Sequence, residues 1–252
     1  MEITVVFLLG FAPGIFWLWY FYHRDKIEPE PKQLIIRTFF VGLAAAIPAA
    51  IAESLFVLIP GMDGLVLLVV VAPVIEEYFK YLAVRVAIYR HAEFDEPMDG
   101  IVYAAAAALG FASIENVGYL FSSKNNGGWG AVQLIFIVRA LLSVPGHVLF
   151  SSVWGAALGR AKFMSDPSAA RRLIQSGLIG AMILHGLFNF SASLSVQDPV
   201  LIWVSLLGLI TLNVLAWVRI RQRMQEALLD SPHGRRATQE AAEDGLPLSR
   251  RS

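Results

Sequence analysis

The chain has 252 residues, 56% of them hydrophobic and 16% charged, against about 25% charged in an ordinary soluble domain, and its mean hydropathy is +0.60. So little polar surface excludes a soluble globular protein and makes a bilayer the solvent for most of the chain. The formal net charge is zero and basic residues cluster at segment ends and in the C-terminal stretch, which excludes a nucleic-acid surface; the lack of cysteine excludes disulfides, thiolate metal sites and a cysteine nucleophile.

Seven apolar runs follow in order. Residues 5–22 form the first, and the absence of a basic stretch before it or a clean small-residue cleavage site after it predicts a retained spanning helix, not a removed signal peptide. Its aromatic-rich end, Phe16 to Tyr22, reads as an interfacial belt. A charged, proline-containing loop (23–32) leads to the second run, 35–59, which holds Pro48 and Glu53. After the turn Pro60-Gly61-Met62-Asp63-Gly64, the third run, 65–88, carries Glu76, Glu77 and Lys80. Asp99 is placed to cap the fourth, 100–121, and residues 122–130 read as a flexible loop. The fifth, 131–158, holds Arg139, Pro145 and His147; the sixth, 173–194, holds His185 and Asn189; the seventh spans 200–218. Each run can cross a hydrocarbon layer about 30 Å thick.

Arg24, Lys26, Lys32, Arg37, Arg90, Arg160, Lys162, Arg171, Arg172, Arg219, Arg221 and Arg223 fall beside alternate loops, and the other loops hold Lys124 alone. The positive-inside rule then predicts an all-α, polytopic membrane helical bundle of about seven transmembrane helices, N-terminus outside and C-terminus cytoplasmic. Residues 1–222 are expected to form a single transmembrane domain and 223–252 a disordered cytoplasmic tail.

Two adjacent carboxylates in the middle of a spanning segment cost several kcal/mol by translocon scales, at about 2.5–3.5 kcal/mol each, unless something compensates them. Lys80 stands at i+4 from Glu76 and i+3 from Glu77, so it can neutralise part of the pair from its own helix. His147 and His185 lie at similar depth, with Glu115 and Arg139 nearer the external side. A desolvated carboxylate can exchange protons with a water, and imidazoles beside it can bind a metal or stabilise an oxyanion; both routes hydrolyse an amide without a nucleophilic side chain. The plain alternatives are structural: the Glu pair as an ion pair with Lys80 and Arg139, Glu115 as the partner of Arg139, the histidines and Asn189 as packing residues, and Glu53 as helix glue or a cavity wall.

The order Glu76-Glu77-x-x-Lys80, Phe111-x-x-x-Glu115-Asn116, His147, His185-x-x-x-Asn189, each on its own apolar segment, resembles the PrsW family of intramembrane proteases, within the group that includes the type II CAAX prenyl endopeptidases and bacteriocin-processing enzymes. Where CAAX-type relatives end the second motif in His, this chain has Glu115. The resemblance implies a catalytic core at about 34–194, with Glu76, Glu77, His147 and His185 as catalytic residues and Lys80, Glu115, Asn116 and Asn189 in support, Asn189 orienting His185. It also implies a divalent metal, zinc, on Glu115, His147 and His185, as an alternative to metal-free glutamate-activated water. The implied partners are the lipid bilayer and a single-span membrane protein such as an anti-sigma factor, with no nucleic acid, and the implied location is the plasma (inner) membrane. A proton-coupled transporter or channel using the Glu/His set as a relay is the alternative; no internal repeat supports it.

Overall fold

The computed structural model describes residues 2–24, 28–194 and 199–232, and every extended element among them is helical. Helix α1 is Glu2–Tyr22 and α2 is Lys32–Val57. A single turn, α3 (Gly64–Val66), capped by the Asp63 carboxylate, leads through a wide π turn, Leu67–Val71, into α4 (Ala72–Ala87). Then come α5 (Pro97–Val138), a second π turn at Arg139–Ser143, α6 (Val144–Lys162), α7 (Pro167–Leu194) and α8 (Pro199–Asp230).

Among the described residues, five helical stretches are long and apolar enough to cross a membrane, and one of them, Pro97–Lys162, is 66 residues long. At 1.5 Å per residue a straight helix of that length would run about 100 Å, far beyond one bilayer. It does not run straight. Arg139 bonds Glu115 and Asn116, 24 and 23 residues earlier, so α5 folds back on itself. The reversal falls at Gly128, whose φ of 67° and ψ of −162° leave the helical region. The flexible loop expected over 122–130 is therefore a correction: helix continues on both sides of one glycine. The run expected over 65–88 is present as α3, the π turn and α4, interrupted by that turn and by its three charges. Asp99 caps α5 from its third position, not from the cap itself, accepting the backbone N–H groups of Asp95 and Glu96 at 2.7 and 2.8 Å. Helix α8 runs past the expected domain limit at 222 to Asp230, and the rest of the expected tail, from 233, lies outside the described residues.

The first half of α5 is the axis of the bundle, buried on every face from Pro97 to Ser113. The perimeter is the reverse: Ile3, Leu8, Phe40, Ile47, Ile51, Ile183, Leu207 and Leu215 point outward as a lipid-facing surface would require. Small residues let the axis be surrounded closely. A Cβ on Gly155 would stand 2.5 Å from the Gly100 carbonyl oxygen, and one on Gly159 would stand 2.2 Å from the Pro97 carbonyl oxygen, so α5 and α6 cross backbone to backbone at this small-xxx-small pair. Gly155→Ala is expected to destabilise the bundle by about 1–3 kcal/mol, read as a lower unfolding midpoint in detergent. Gly118→Ala, where an added Cβ meets nothing within 4 Å, should leave the midpoint in place.

One end of the bundle gathers the loops after α1 and α4 with the ends of α6 and α8: the Tyr103 hydroxyl donates to Glu30, Lys162 to the Tyr89 carbonyl at 3.0 Å, and Arg160 to Glu226 at 3.3 Å. At the other end Lys124 pairs with Glu2. The long elements thus alternate in direction.

Candidate active site

Two prolines shape the site before any catalytic group is placed. Pro73, the second residue of α4, has no N–H, and the helix reaches it through a turn in which the Ala72 N–H bonds the Leu67 carbonyl five residues back. In that register the Leu68 carbonyl would need the missing Pro73 proton. Asn189 supplies a substitute, its Nδ2 donating to Leu68 at 2.9 Å. Pro145 repeats the arrangement in α6: the Val144 N–H bonds Arg139, the Ala140 carbonyl is left without a backbone donor, and Trp17 Nε1 of α1 bonds it at 3.2 Å. Freed carbonyls inside a membrane span are tolerated when neighbouring side chains take them up, and both are taken up. Gly186 seats α7 against the first turn, since a Cβ there would lie 2.4 Å from the Val69 oxygen. Glu76 and Glu77 follow the first proline within one helical turn and His147 follows the second.

Glu77 is fully buried and saturated: Lys80 Nζ (2.9 Å) and His185 Nδ1 (3.1 Å) bond Oε1, and Ser151 Oγ (2.7 Å) and Trp154 Nε1 (3.0 Å) bond Oε2. Glu76 is held less tightly, accepting from Lys80 at 3.2 Å, and it lines a cavity of about 710 Å³. The third proton of the Lys80 ammonium goes to His147 Nδ1 at 2.9 Å, and its charge sits 4.6 Å from the centre of the Phe111 ring. On the far side of that imidazole, Nε2 lies 3.0 Å from Glu115, which is also paired with Arg139 at 3.0 Å. Arg139 in turn donates to Asn116 at 2.6 Å and covers the Tyr119 ring, and Asn116 donates to the Gly10 carbonyl of α1 at 3.1 Å.

These bonds assign the tautomers. With Nε2–H of His147 committed to Glu115 and Nδ1–H of His185 committed to Glu77, the lone pairs are on His147 Nδ1, which accepts from Lys80, and on His185 Nε2. They lie 3.9 and 4.0 Å from Glu76 Oε2, and the two rings meet edge to face at 5.0 Å. Glu76, His147 and His185 are the group of described residues whose donor atoms converge closely enough to hold a metal ion. Two imidazoles and a carboxylate match catalytic zinc donor sets, and each imidazole has a carboxylate behind it, the usual second support of a metal-bound histidine. The donors therefore fit. Glu115, expected with the two histidines as a ligand, pairs here with Arg139 and with His147 Nε2, while Glu76 is the carboxylate that converges with both imidazoles.

The structure brings Glu76, Glu77, Lys80, Glu115, His147 and His185 into one connected network, with Asn116 joined through Arg139. Asn189 stands apart from the imidazoles and bonds the first π turn instead of His185. Ser151 and Trp154 were missed by the sequence reading, although their i+4 and i+7 spacing from His147 puts all three on one face of α6.

An apolar helical body with a buried carboxylate–imidazole centre opening on a cavity is the construction of an intramembrane hydrolase. The family model described as PrsW family intramembrane metalloprotease matches residues 30–218, and the chain belongs to that family. It is 37% identical over 184 residues to Protease PrsW of Bacillus subtilis (strain 168), covering 72% of this chain and 79% of that protein. Similar matches are Protease PrsW of Geobacillus kaustophilus (36% over 186 residues; 72% and 76% covered) and of Clostridioides difficile (strain 630) (32% over 192; 73% and 78%). No solved structure matches. The chain is thus an intramembrane endopeptidase and a membrane protein, and the transporter alternative is not favoured. Helix α1 lies outside the matched residues, yet it supplies Trp17 and Gly10 to the site's support.

Proposed function

We propose that the protein hydrolyses a peptide bond of a membrane-embedded or membrane-proximal protein at Glu76, His147 and His185, and one observation carries this: all three line one cavity, with a carboxylate oxygen of Glu76 and a ring nitrogen of each histidine converging there. Glu76 takes a proton from a water in the cavity as the water oxygen bonds the substrate carbonyl carbon. The same carboxyl then gives that proton to the nitrogen as the C–N bond breaks. Glu77 fixes Lys80 and His185, Glu115 fixes His147, and Asn189 and Trp17 hold the two π turns in place. Zinc is the metal this donor set favours; when bound it would sit among Glu76, His147 and His185 and polarise the carbonyl.

The fold supports seven crossings, counting the α3–α4 stretch and both arms of α5, with α6 continuing the second arm. The basic-residue pattern orients the N-terminus outside and the C-terminus in the cytoplasm of a plasma (inner) membrane. The transmembrane domain extends through α8 to Asp230, with its core at 34–194. The cavity is walled by Val57, Gly64, Tyr119 and Ser193, near the end that carries the non-basic turns, so cleavage falls in the extracytoplasmic half of the substrate. Single-span proteins such as anti-sigma factors are the substrate class we propose, from the family resemblance.

The test compares membrane proteomes of cells expressing wild type and Glu76→Gln at equal levels. New N-termini within or beside single transmembrane segments, present with wild type only, are expected. Identical terminus profiles with both proteins folded, across a range of stresses, would overturn the proposal.

A further inference from the structure

Glu53 is left over when the charges around the cavity are paired. It projects from α2 into the wall of the cavity that Glu76 lines, half-buried, and near enough to Glu76 and Glu115 to be repelled by both. Glu76 and Glu77 share Lys80 at 3.2 and 2.9 Å, and Glu115 has Arg139 at 3.0 Å. Glu53 has no hydrogen bond and no ion pair among the described residues. The lone cation in the described cavity lining, Arg139, is already committed on Nε to Asn116, on Nη2 to Glu115 and on its face to Tyr119. The cavity wall therefore offers a carboxyl with no partner at depth in the membrane, where lipid supplies no counter-charge for it. What enters the cavity of an intramembrane endopeptidase is a polypeptide.

We propose that Glu53 is a specificity-determining residue that receives a basic side chain, Lys or Arg, of the substrate close to the cleaved bond. The inference rests on the placement of the active site at Glu76, His147 and His185. A lysine or arginine has the reach to bury its stem along Val57 and Leu68 of the same wall while its charged head meets the carboxylate. Only the complex then satisfies both charges. A substrate with a neutral residue leaves Glu53 unpaired, and one with an acidic residue sets a second carboxyl against it.

The probe is a set of single-span peptides in phosphatidylethanolamine–phosphatidylglycerol liposomes, built on a segment cleaved in the terminus comparison and differing only by Lys, Met or Glu at each residue flanking the cleaved bond. Wild type is expected to prefer Lys over Met at one of these positions by roughly 10–100-fold in kcat/KM. Glu53→Gln should collapse that ratio to about one, and Glu53→Lys should turn the preference toward Glu. A Lys preference that survives in Glu53→Gln, or no charge preference in wild type, would overturn the inference while leaving the protease standing. Equal loss on all three peptides in Glu53→Gln, complete loss included, would also overturn it, by assigning Glu53 to proton handling or to the fold. If neither wild type nor any variant produces Glu76-dependent cleavage, the active-site reading itself fails first.

Discussion

Glu76→Gln is expected to abolish hydrolysis while leaving a folded protein, whereas Glu77→Gln is expected to lose activity and stability together. The two side chains are adjacent and both buried, so the contrast comes from their partners. Glu76 accepts one bond, from Lys80 at 3.2 Å, and otherwise faces the cavity. An amide keeps that bond through its oxygen but can neither take a proton from water nor serve as an anionic metal ligand. It withdraws part of the charge facing Lys80, yet sets no donor against a buried donor, so turnover should fall by about 10²–10⁴-fold with a smaller drop in unfolding midpoint than in Glu77→Gln. Glu77 accepts from four donors, two on each oxygen. In glutamine one of those oxygens becomes an NH₂ group, which then points at either Ser151 and Trp154 or Lys80 and His185, donor against donor. The substitution also removes half of the charge that compensates Lys80, itself without solvent exposure. Breaking a buried pair in this way costs about 3–5 kcal/mol. Purified variants assayed for peptide cleavage and for unfolding in one detergent separate the cases, and wild-type-like turnover in both single variants would remove the carboxylate mechanism.

The difference between these glutamates was hidden in the sequence, though the pair itself was plain. Two acids in an apolar run demand compensation, and i+3/i+4 spacing names Lys80 as its source; the structure has Lys80 bonded to both. Arg139 likewise reaches Glu115, which the sequence placed at the same depth. Depth counting put His147 and His185 level with the pair. The ligand trio was less legible, because which carboxylate meets the unprotonated imidazole nitrogens depends on ring orientation, and orientation depends on Glu115 and Glu77 acting from behind. The π turns were not legible at all. Pro73 and Pro145 announce a missing proton, but where the freed carbonyl goes depends on which helix passes by. That is why Asn189, expected to orient His185, serves Leu68, and why Trp17, read as part of an interfacial belt, serves Ala140. The reversal at Gly128 was blurred over nine residues because polar, glycine-rich composition marks a turn without saying how few residues make it.

Preparations of the wild-type protein are expected to hold about one divalent metal ion per chain, and His185→Ala to lose both the metal and catalysis. His185 is the better probe of the two histidines. His147 Nδ1 is already occupied by the Lys80 ammonium at 2.9 Å, so replacing His147 would disturb Lys80 and its two glutamates as well. His185 hydrogen-bonds the network through Nδ1 alone, at Glu77, and Glu77 keeps its other three donors when that ring is cut away. The cost to the fold is then mainly the truncated ring beside Phe150, about 2–3 kcal/mol, while the metal loses one of three ligands. Elemental analysis of the purified protein reads occupancy directly and independently of turnover. Removing the metal with a strong chelator should lower peptide cleavage by wild type at least about a hundredfold, with zinc restoring it, since Lewis-acid polarisation is worth several kcal/mol in such sites. The competing arrangement is already visible in the structure: Lys80 lies within hydrogen-bonding distance of Glu76 and His147, two of the three donors, and an ammonium can hold those groups together without a metal. If metal-depleted wild type turns over at its full rate, Lys80 is the cation of the working site, and glutamate-activated water carries the reaction alone.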